Sequence, residues 1–250
     1  MIILKSDSEI DQMRASGILA AQTLNMVSEH IRPGISTLEL NEICHDFIIQ
    51  NKAIPAPLNY KGFPKSICTS INHVVCHGIP SSKDKLKEGD IINVDVTTIL
   101  GGFFGDTSRT FAVGMISPKA KRLVDCAQRC LDLGISIVAP GKRLGDIGHA
   151  IQSYAESLGY GVVKDFVGHG IGRNFHEDPQ VSHVGEVGKG QRLQEGMVFT
   201  IEPMINEGDW RTKVLRDGWT AITLDGKLSA QFEHTIAIRS DGTVQVLTLI

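Results

Sequence analysis

LKEGDIINVD (86–95) and LQEGMVFTIE (193–202) align without a gap. Leu86 meets Leu193, Glu88 meets Glu195, Gly89 meets Gly196 and Asp95 meets Glu202. The same offset lays Pro33-Gly34 on Pro140-Gly141, and the turn HGI at 77–79 recurs at 169–171. A chain built twice over, with a carboxylate at the end of each corresponding strand, closes a carboxylate-rich cleft between its halves. That is the geometry a two-metal site needs.

Working outward, each half repeats one plan. Ser6-Asp7-Ser8-Glu9 is a capping box, and Ile10, Met13, Leu24, Val27 and Ile31 keep one helical face until Arg32-Pro33-Gly34 stops it. A second box, Ser36-Thr37-Leu38-Glu39, opens a helix carrying Leu40, Ile43, Phe47 and Ile48. In the second half Ser117-Pro118 starts a helix with Leu123, Ala127, Leu131, Ile135 and Val138 on one face. Pro140-Gly141 ends it, and Ile147, Ile151, Tyr154 and Leu158 mark the next. Each helix pair precedes stretches rich in Val, Ile, Thr and Phe, which predict strands at 66–76, 90–99, 103–113, 162–167, 197–202, 219–224, 232–238 and 243–249. Helices then strands, twice, predict an α+β duplication with pseudo-repeats at about 7–115 and 116–250. No Pro-, Gly- or Ser-rich linker divides them, so a single catalytic domain over 1–250 is expected.

Composition narrows the function classes. A net charge of −3 in 250 residues gives no electrostatic case for nucleic acid or an anionic membrane. Ile2-Ile3-Leu4 before Lys5 is too short for a signal-peptide core, and no apolar run approaches membrane-spanning length. The cysteines Cys44, Cys68, Cys76, Cys126 and Cys130 are odd in number and form no CxxC pair, which predicts free thiols in a reducing cytoplasm. Cys126 and Cys130, four apart on a helix, read as small buried hydrophobes.

The chemistry lies in carboxylates that interrupt apolar strands. Gly101-Gly102 reads as a tight hairpin turn, which sets Asp95 opposite Ser108 and puts Asp106 on the same face, diagonal to Asp95. Diagonal neighbours approach within roughly 7–8 Å, and like charges that close repel unless something positive lies between them. Glu202 in FTIEPM and Glu233 in SAQFEHTIAI are costly to bury unless paired or metal-bound. His169 in VGHGIG has glycines on both sides that leave its imidazole accessible. One imidazole with four carboxylates is a hard donor set, suited to Mn, Fe or Co, and to Zn in a catalytic dinuclear role.

Taken in order, NVDV, GDTSRTF, GHGIG, TIEPM and SAQFEHT resemble the ligand motifs of the methionine aminopeptidases, over nearly the whole chain. The short His169–Glu202 spacing and the lack of an N-terminal zinc-binding region resemble the type I, bacterial-like form. The resemblance implies the duplicated pita-bread fold of the creatinase/aminopeptidase group, and two divalent metal ions. Asp95 would hold one, His169 and Glu202 the other, with Asp106 and Glu233 bridging. It further implies that Glu202 accepts a proton, that His77 and His176 contact the substrate and steady the tetrahedral intermediate, and that Tyr60, Phe63, Cys68, Phe175 and Trp219 line a methionine pocket. Asn72, Val74 and Ser229 match the family's monovalent-cation site. The implied reaction removes an N-terminal methionine that precedes a small residue. Its partners would be nascent polypeptide N-termini, with docking at the ribosome, and the protein is expected to be a monomer. Pro57, Phe63 and His73 depart from common family residues and bear on fine substrate preference.

Two rivals share the fold. A non-catalytic binding module would have lost ligands, and all five are present. Other pita-bread peptidases such as prolidase and aminopeptidase P carry a large extra N-terminal domain for which 250 residues leave no room. His30, His45, His149, His183 and His234 read as surface or structural.

Overall fold

A computed structural model describes residues Met1–Ile250. The first half contains helices α1 (Asp7–Ser28) and α2 (Thr37–Gln50), then strands β1 (Ile54–Pro55), β2 (Cys68–Ile71), β3 (Val74–Cys76), β4 (Ile91–Leu100) and β5 (Phe103–Ala112). The second half contains α3 (Pro118–Ile137) and α4 (Leu144–Ser157), then β6 (Gly161–Val162), β7 (Gly168–Gly170), β8 (Glu177–Val181), β9 (Val198–Ile201) and β10 (Met204–Asn206). It closes with β11 (Thr212–Val214), β12 (Ala221–Thr223), β13 (Ser229–Gln231), β14 (His234–Ile238) and β15 (Val244–Val246).

Both capping boxes form: Ser6 and Ser36 each accept from the backbone N–H of the glutamate three residues on, and that carboxylate accepts from the serine N–H in return. Ser117 caps α3 ahead of Pro118, whose missing N–H costs nothing in the first turn. No helix is long and apolar enough to cross a membrane.

Each half has its own core. Leu24, Val27, Leu40 and Ile48 pack on Val94 and Val96 in the first; Leu123, Leu131, Ile147 and Ile151 pack on Phe199 and Ile201 in the second. A third cluster joins them, where Ile10 and Met13 of α1 meet Phe103, Ile171, Val198 and Ala237. β5 runs along β4 in the first half, and its Ser108 carbonyl accepts from the Glu233 N–H of the second (3.0 Å). β3 of the first half pairs with β12 of the second. The halves are therefore stitched by backbone as well as by burial. α1 lies so close over the β4–β5 hairpin that a Cβ on Gly105 would sit 2.4–2.7 Å from the backbone of Ser16 and Gly17.

Several expected strands change. The stretch 66–76 breaks at Asn72, whose φ of +53° turns the chain so that β2 and β3 enter different sheets. The 162–167 stretch keeps only its first residue in a strand; 219–224 and 243–249 shrink to Ala221–Thr223 and Val244–Val246. β1, β7, β8, β10, β11 and β13 carry no sequence period, being two to five residues long. Leu158 is exposed, because it caps α4 beyond the buried turn. The aligned carboxylates are also not equivalent: Asp95 lies mid-strand in β4, whereas Glu202 stands one residue past β9.

Candidate active site and metal centre

The Gly101-Gly102 turn has φ of +61° and +80°, the left-handed pair a two-residue hairpin requires. It sets Asp95 opposite Ser108 and Asp106 opposite Thr97, as the alternation demands. Glu233 arrives through its bridge to Ser108, and His169 on β7 arrives from the neighbouring sheet. One donor atom each from Asp106, His169 and Glu233 lies within 4.8 Å of the others, and all three residues are buried. His169 Nε2 is 3.6 Å from Asp106 Oδ2 and 3.8 Å from Glu202 Oε1.

Neighbouring side chains orient these donors. Thr97 Oγ1 donates to Asp106 Oδ1 (2.7 Å), and Thr200 Oγ1 donates to Glu202 Oε1 (2.7 Å) while accepting the His169 N–H (2.9 Å). Gln231 Nε2 donates to Glu202 Oε2 (3.3 Å). His169 Nδ1 lies 2.9 Å from the Gly170 carbonyl, which can only accept. Nδ1 therefore carries a proton, and Nε2 faces the carboxylates.

The electrostatics are those of negative charge packed without enough positive charge. Burial, then Asp106, pushes the Asp95 and Glu233 carboxyls well above the usual range. Burial, only partly opposed by His169, raises Glu202 to about 7. Burial pulls His169 down, but Asp106 and Glu202 outweigh it and hold the pKa up. The one lysine at the cavity, Lys61, is exposed at the rim with its ammonium 5.3 Å from the Tyr60 ring centroid. A divalent cation would replace the protons these groups otherwise share, and an oxygen-rich set with one imidazole nitrogen fits a hard or borderline metal.

The donors floor a cavity of about 310 Å³ whose walls include Tyr60, Phe63, Cys68, His77, Phe175, His176 and Trp219, with Pro57, Phe166 and Met204. Phe63 and Trp219 meet edge to face at 5.2 Å. His77 has a φ of +56°, and its ring stands edge-on to Phe166 at 5.5 Å. The His176 ring centroid is 4.2 Å from that of His169, and its Nδ1 is 3.0 Å from the Tyr60 hydroxyl. Burial against the wall, then the charge on His169, pushes His176 down to about 4.

Asn72, Val74 and Ser229 stand apart from this cavity. The Ser229 N–H donates to the Asn72 carbonyl (2.8 Å), and Ser229 Oγ is buried without a partner. A larger cavity of about 750 Å³ opens behind the sheet beside Arg109 and His234, and gathers no donor cluster.

Sequence reading overlooked Thr97, Thr200 and Gln231, whose only signal is a same-face or near-neighbour spacing from a carboxylate. His183, assigned to surface or structure, is fully buried, and its Nε2 accepts the Glu202 N–H (3.0 Å). Burial holds it neutral, down to about 3.

Residues 11–240 match the metallopeptidase family M24. The chain is 60% identical to methionine aminopeptidase A of Synechocystis sp., over 99% of this chain and 98% of that protein. It is 55% identical to the methionine aminopeptidase of Rickettsia prowazekii, over 99% and 95%.

The chain belongs to the methionine aminopeptidases of family M24.

The crystal structure of the Rickettsia methionine aminopeptidase superposes with a TM-score of 0.97, covering 100% of both chains at 54% identity. Prolidase from Pyrococcus furiosus, 21% identical, gives 0.78 over 99% of this chain and 66% of that one, a likeness of fold alone. The expected duplicated pita-bread α+β fold is thus the observed one, and the chain covers 95–100% of the aminopeptidase relatives named.

Proposed function

We propose that this chain is a cytoplasmic, monomeric methionyl aminopeptidase that removes the initiator methionine from nascent polypeptides, at or near the ribosome, when the second residue is small. The observation that carries this reading is the buried Asp106–His169–Glu233 cluster at the floor of an aromatic-walled cavity. In this reading Asp95, Asp106, His169, Glu202 and Glu233 would hold two divalent ions, Mn, Fe, Co or Zn. A monovalent cation at Asn72, Val74 and Ser229 would brace the strands behind. When bound, the metal would supply a water acidic enough to attack an amide carbonyl near neutral pH.

The chain's own residues do the rest. Glu202, a carboxylate at the floor of the cavity, would take a proton from that water and return it to the leaving amine. His176 Nδ1 lies 3.0 Å from the Tyr60 hydroxyl, and the tautomer in which Nδ1 accepts that O–H leaves Nε2–H to donate to the substrate carbonyl. His77 offers a second donor across the cavity. Phe63, Trp219, Tyr60, Phe175 and Cys68 form an apolar slot for a thioether side chain. A cavity of this size leaves little room for the second residue, which supplies the size selection.

The test is release of Met from Met-Ala-Ser and Met-Leu-Ser, with chelator and after adding back each divalent ion. Rapid, chelator-sensitive cleavage of Met-Ala-Ser alone is expected. Equal cleavage of both peptides, or full activity after thorough chelation, overturns the proposal.

A further inference from the structure

Lys5 and Glu177 form an ion pair whose side chains are each 4% exposed, and the chemistry above does not use it. Lys5 Nζ donates to a Glu177 oxygen and to the Ile3 carbonyl (2.8 Å). The other Glu177 oxygen accepts from the Asn174 N–H (3.2 Å) and side-chain amide (3.3 Å). The Lys5 N–H donates to the Gly196 carbonyl (2.7 Å), in the turn that opens β9. The amino-terminal arm thus lies across the two segments that carry His176 and Glu202.

Between the arm and Glu177 runs the connection from β7 to β8, residues 171–176. Its Gly172 packs directly against the pair: a Cβ there would lie 2.5 Å from Lys5 Cε and 2.9 Å from Glu177 Oε1, so the two side chains would have to shift. The Gly172 carbonyl accepts the Phe104 N–H (3.0 Å), and the Arg173 guanidinium lies 4.1 Å from the Phe103 ring centroid. The segment is held at its start and its end, and Phe175 and His176 project from it into the cavity. Fully buried ion pairs add little to stability against apolar replacements, but losing one partner strands a charge and moves what was attached to it.

We propose that Lys5 is a positioning residue for the reaction: its pair with Glu177 sets the 171–176 connection so that Phe175 and His176 meet the substrate, without acting on the metal donors. The inference rests on the aminopeptidase reading above. A displacement of about 1 Å at a substrate-facing group costs on the order of 100-fold in rate. Lys5→Met and Glu177→Gln should each lower kcat by about 10- to 100-fold.

The experiment uses metal-loaded wild type, K5M, E177Q and K5M/E177Q, each with and without His176→Ala, assayed on Met-Ala-Ser. The visible spectrum of the cobalt-loaded protein reports the metal centre. Expected results are a kcat loss in each single variant with an unchanged spectrum, and recovery of most of it in K5M/E177Q, where neither charge is left alone. In the His176→Ala background K5M and E177Q should cost clearly less than in the wild-type background, because one of the two groups they position is gone. A purely structural role would lower kcat equally in both backgrounds. Wild-type kcat in K5M and E177Q, a changed cobalt spectrum, or a loss undiminished by His176→Ala overturns the proposal. If K5M does not fold, E177Q, which keeps the shape of the buried side chain, carries the same comparison. An inactive wild type refutes the aminopeptidase reading; an active wild type with unimpaired variants refutes this one alone.

Discussion

Replacing Glu202 by Gln should stabilise the chelated protein above neutral pH and destabilise the metal-loaded one. Glu202 titrates at about 7 in the fold against an ordinary value of 4.5, because burial disfavours its charge. A carboxyl raised in this way keeps a proton the unfolded chain has already released. Stability therefore falls as pH rises from the unfolded value through the folded one. The difference between these two values corresponds to about 3 kcal/mol by pH 8, at ~1.36 kcal/mol for each tenfold change in proton affinity. Gln has the same shape and no charge to bury, so its fixed packing cost does not change with pH. About 2.5 kcal/mol of the wild-type loss falls between pH 5 and 8, and for a chain of this length ~1 kcal/mol moves Tm by roughly 2–4 °C, so the difference between variant and wild type should drift by about 5–10 °C over that range. His176, His183 and His234, whose pKa values burial depresses to about 4, 3 and 4, act in the opposite sense below the usual histidine range. They are common to both proteins and largely cancel in the difference. Divalent metal should reverse the order, since it neutralises the wild-type carboxylate, and a ligand at 100 times Kd adds about 2.7 kcal/mol to the protein that binds it. Calorimetric melts of both proteins from pH 5 to 8, with chelator and with metal, decide the matter. A pH-independent difference in chelator, or a wild type that gains on the variant as pH rises, refutes the reasoning.

Asp106→Asn and Glu233→Gln should each abolish turnover and lower the bound metal per chain, read by elemental analysis beside steady-state kinetics; full activity in either removes it from the metal set. Gly105→Ala should lower stability by about 1–3 kcal/mol through overpacking against the α1 backbone, seen in a thermal melt, and an unchanged Tm would mean that α1 can shift freely. Burial, then the charge on Asp95, pushes the Cys68 thiol well up. A bulky thiol reagent should therefore inactivate slowly, with bound substrate protecting and Cys68→Ala abolishing the effect; sensitivity that survives in Cys68→Ala points to Cys44, Cys76, Cys126 or Cys130.

The helices, the β4–β5 hairpin and the carboxylates on its face are legible in the sequence because each depends on local physics. A serine and a glutamate three residues apart cap a helix wherever they occur, Gly-Gly supplies the left-handed turn, and alternation then dictates which residues share a face. His169, Glu202 and Glu233 were readable as residues out of character with apolar surroundings, and the family motifs supplied their order. What the sequence could not determine is everything that depends on distant chain segments meeting. The strands of two to five residues in the second half take their conformation from partners and not from a period of their own. The break at Asn72 that sends β2 and β3 into separate sheets is likewise invisible to alternation, which runs through it. Duplication suggested equivalent carboxylates, yet packing put Asp95 in mid-strand and Glu202 beyond a strand end, where His183 holds its backbone. The pairing of Lys5 with Glu177 is decided by tertiary structure alone, because a lysine and a glutamate so far apart carry no mutual signal until the fold removes water from between them.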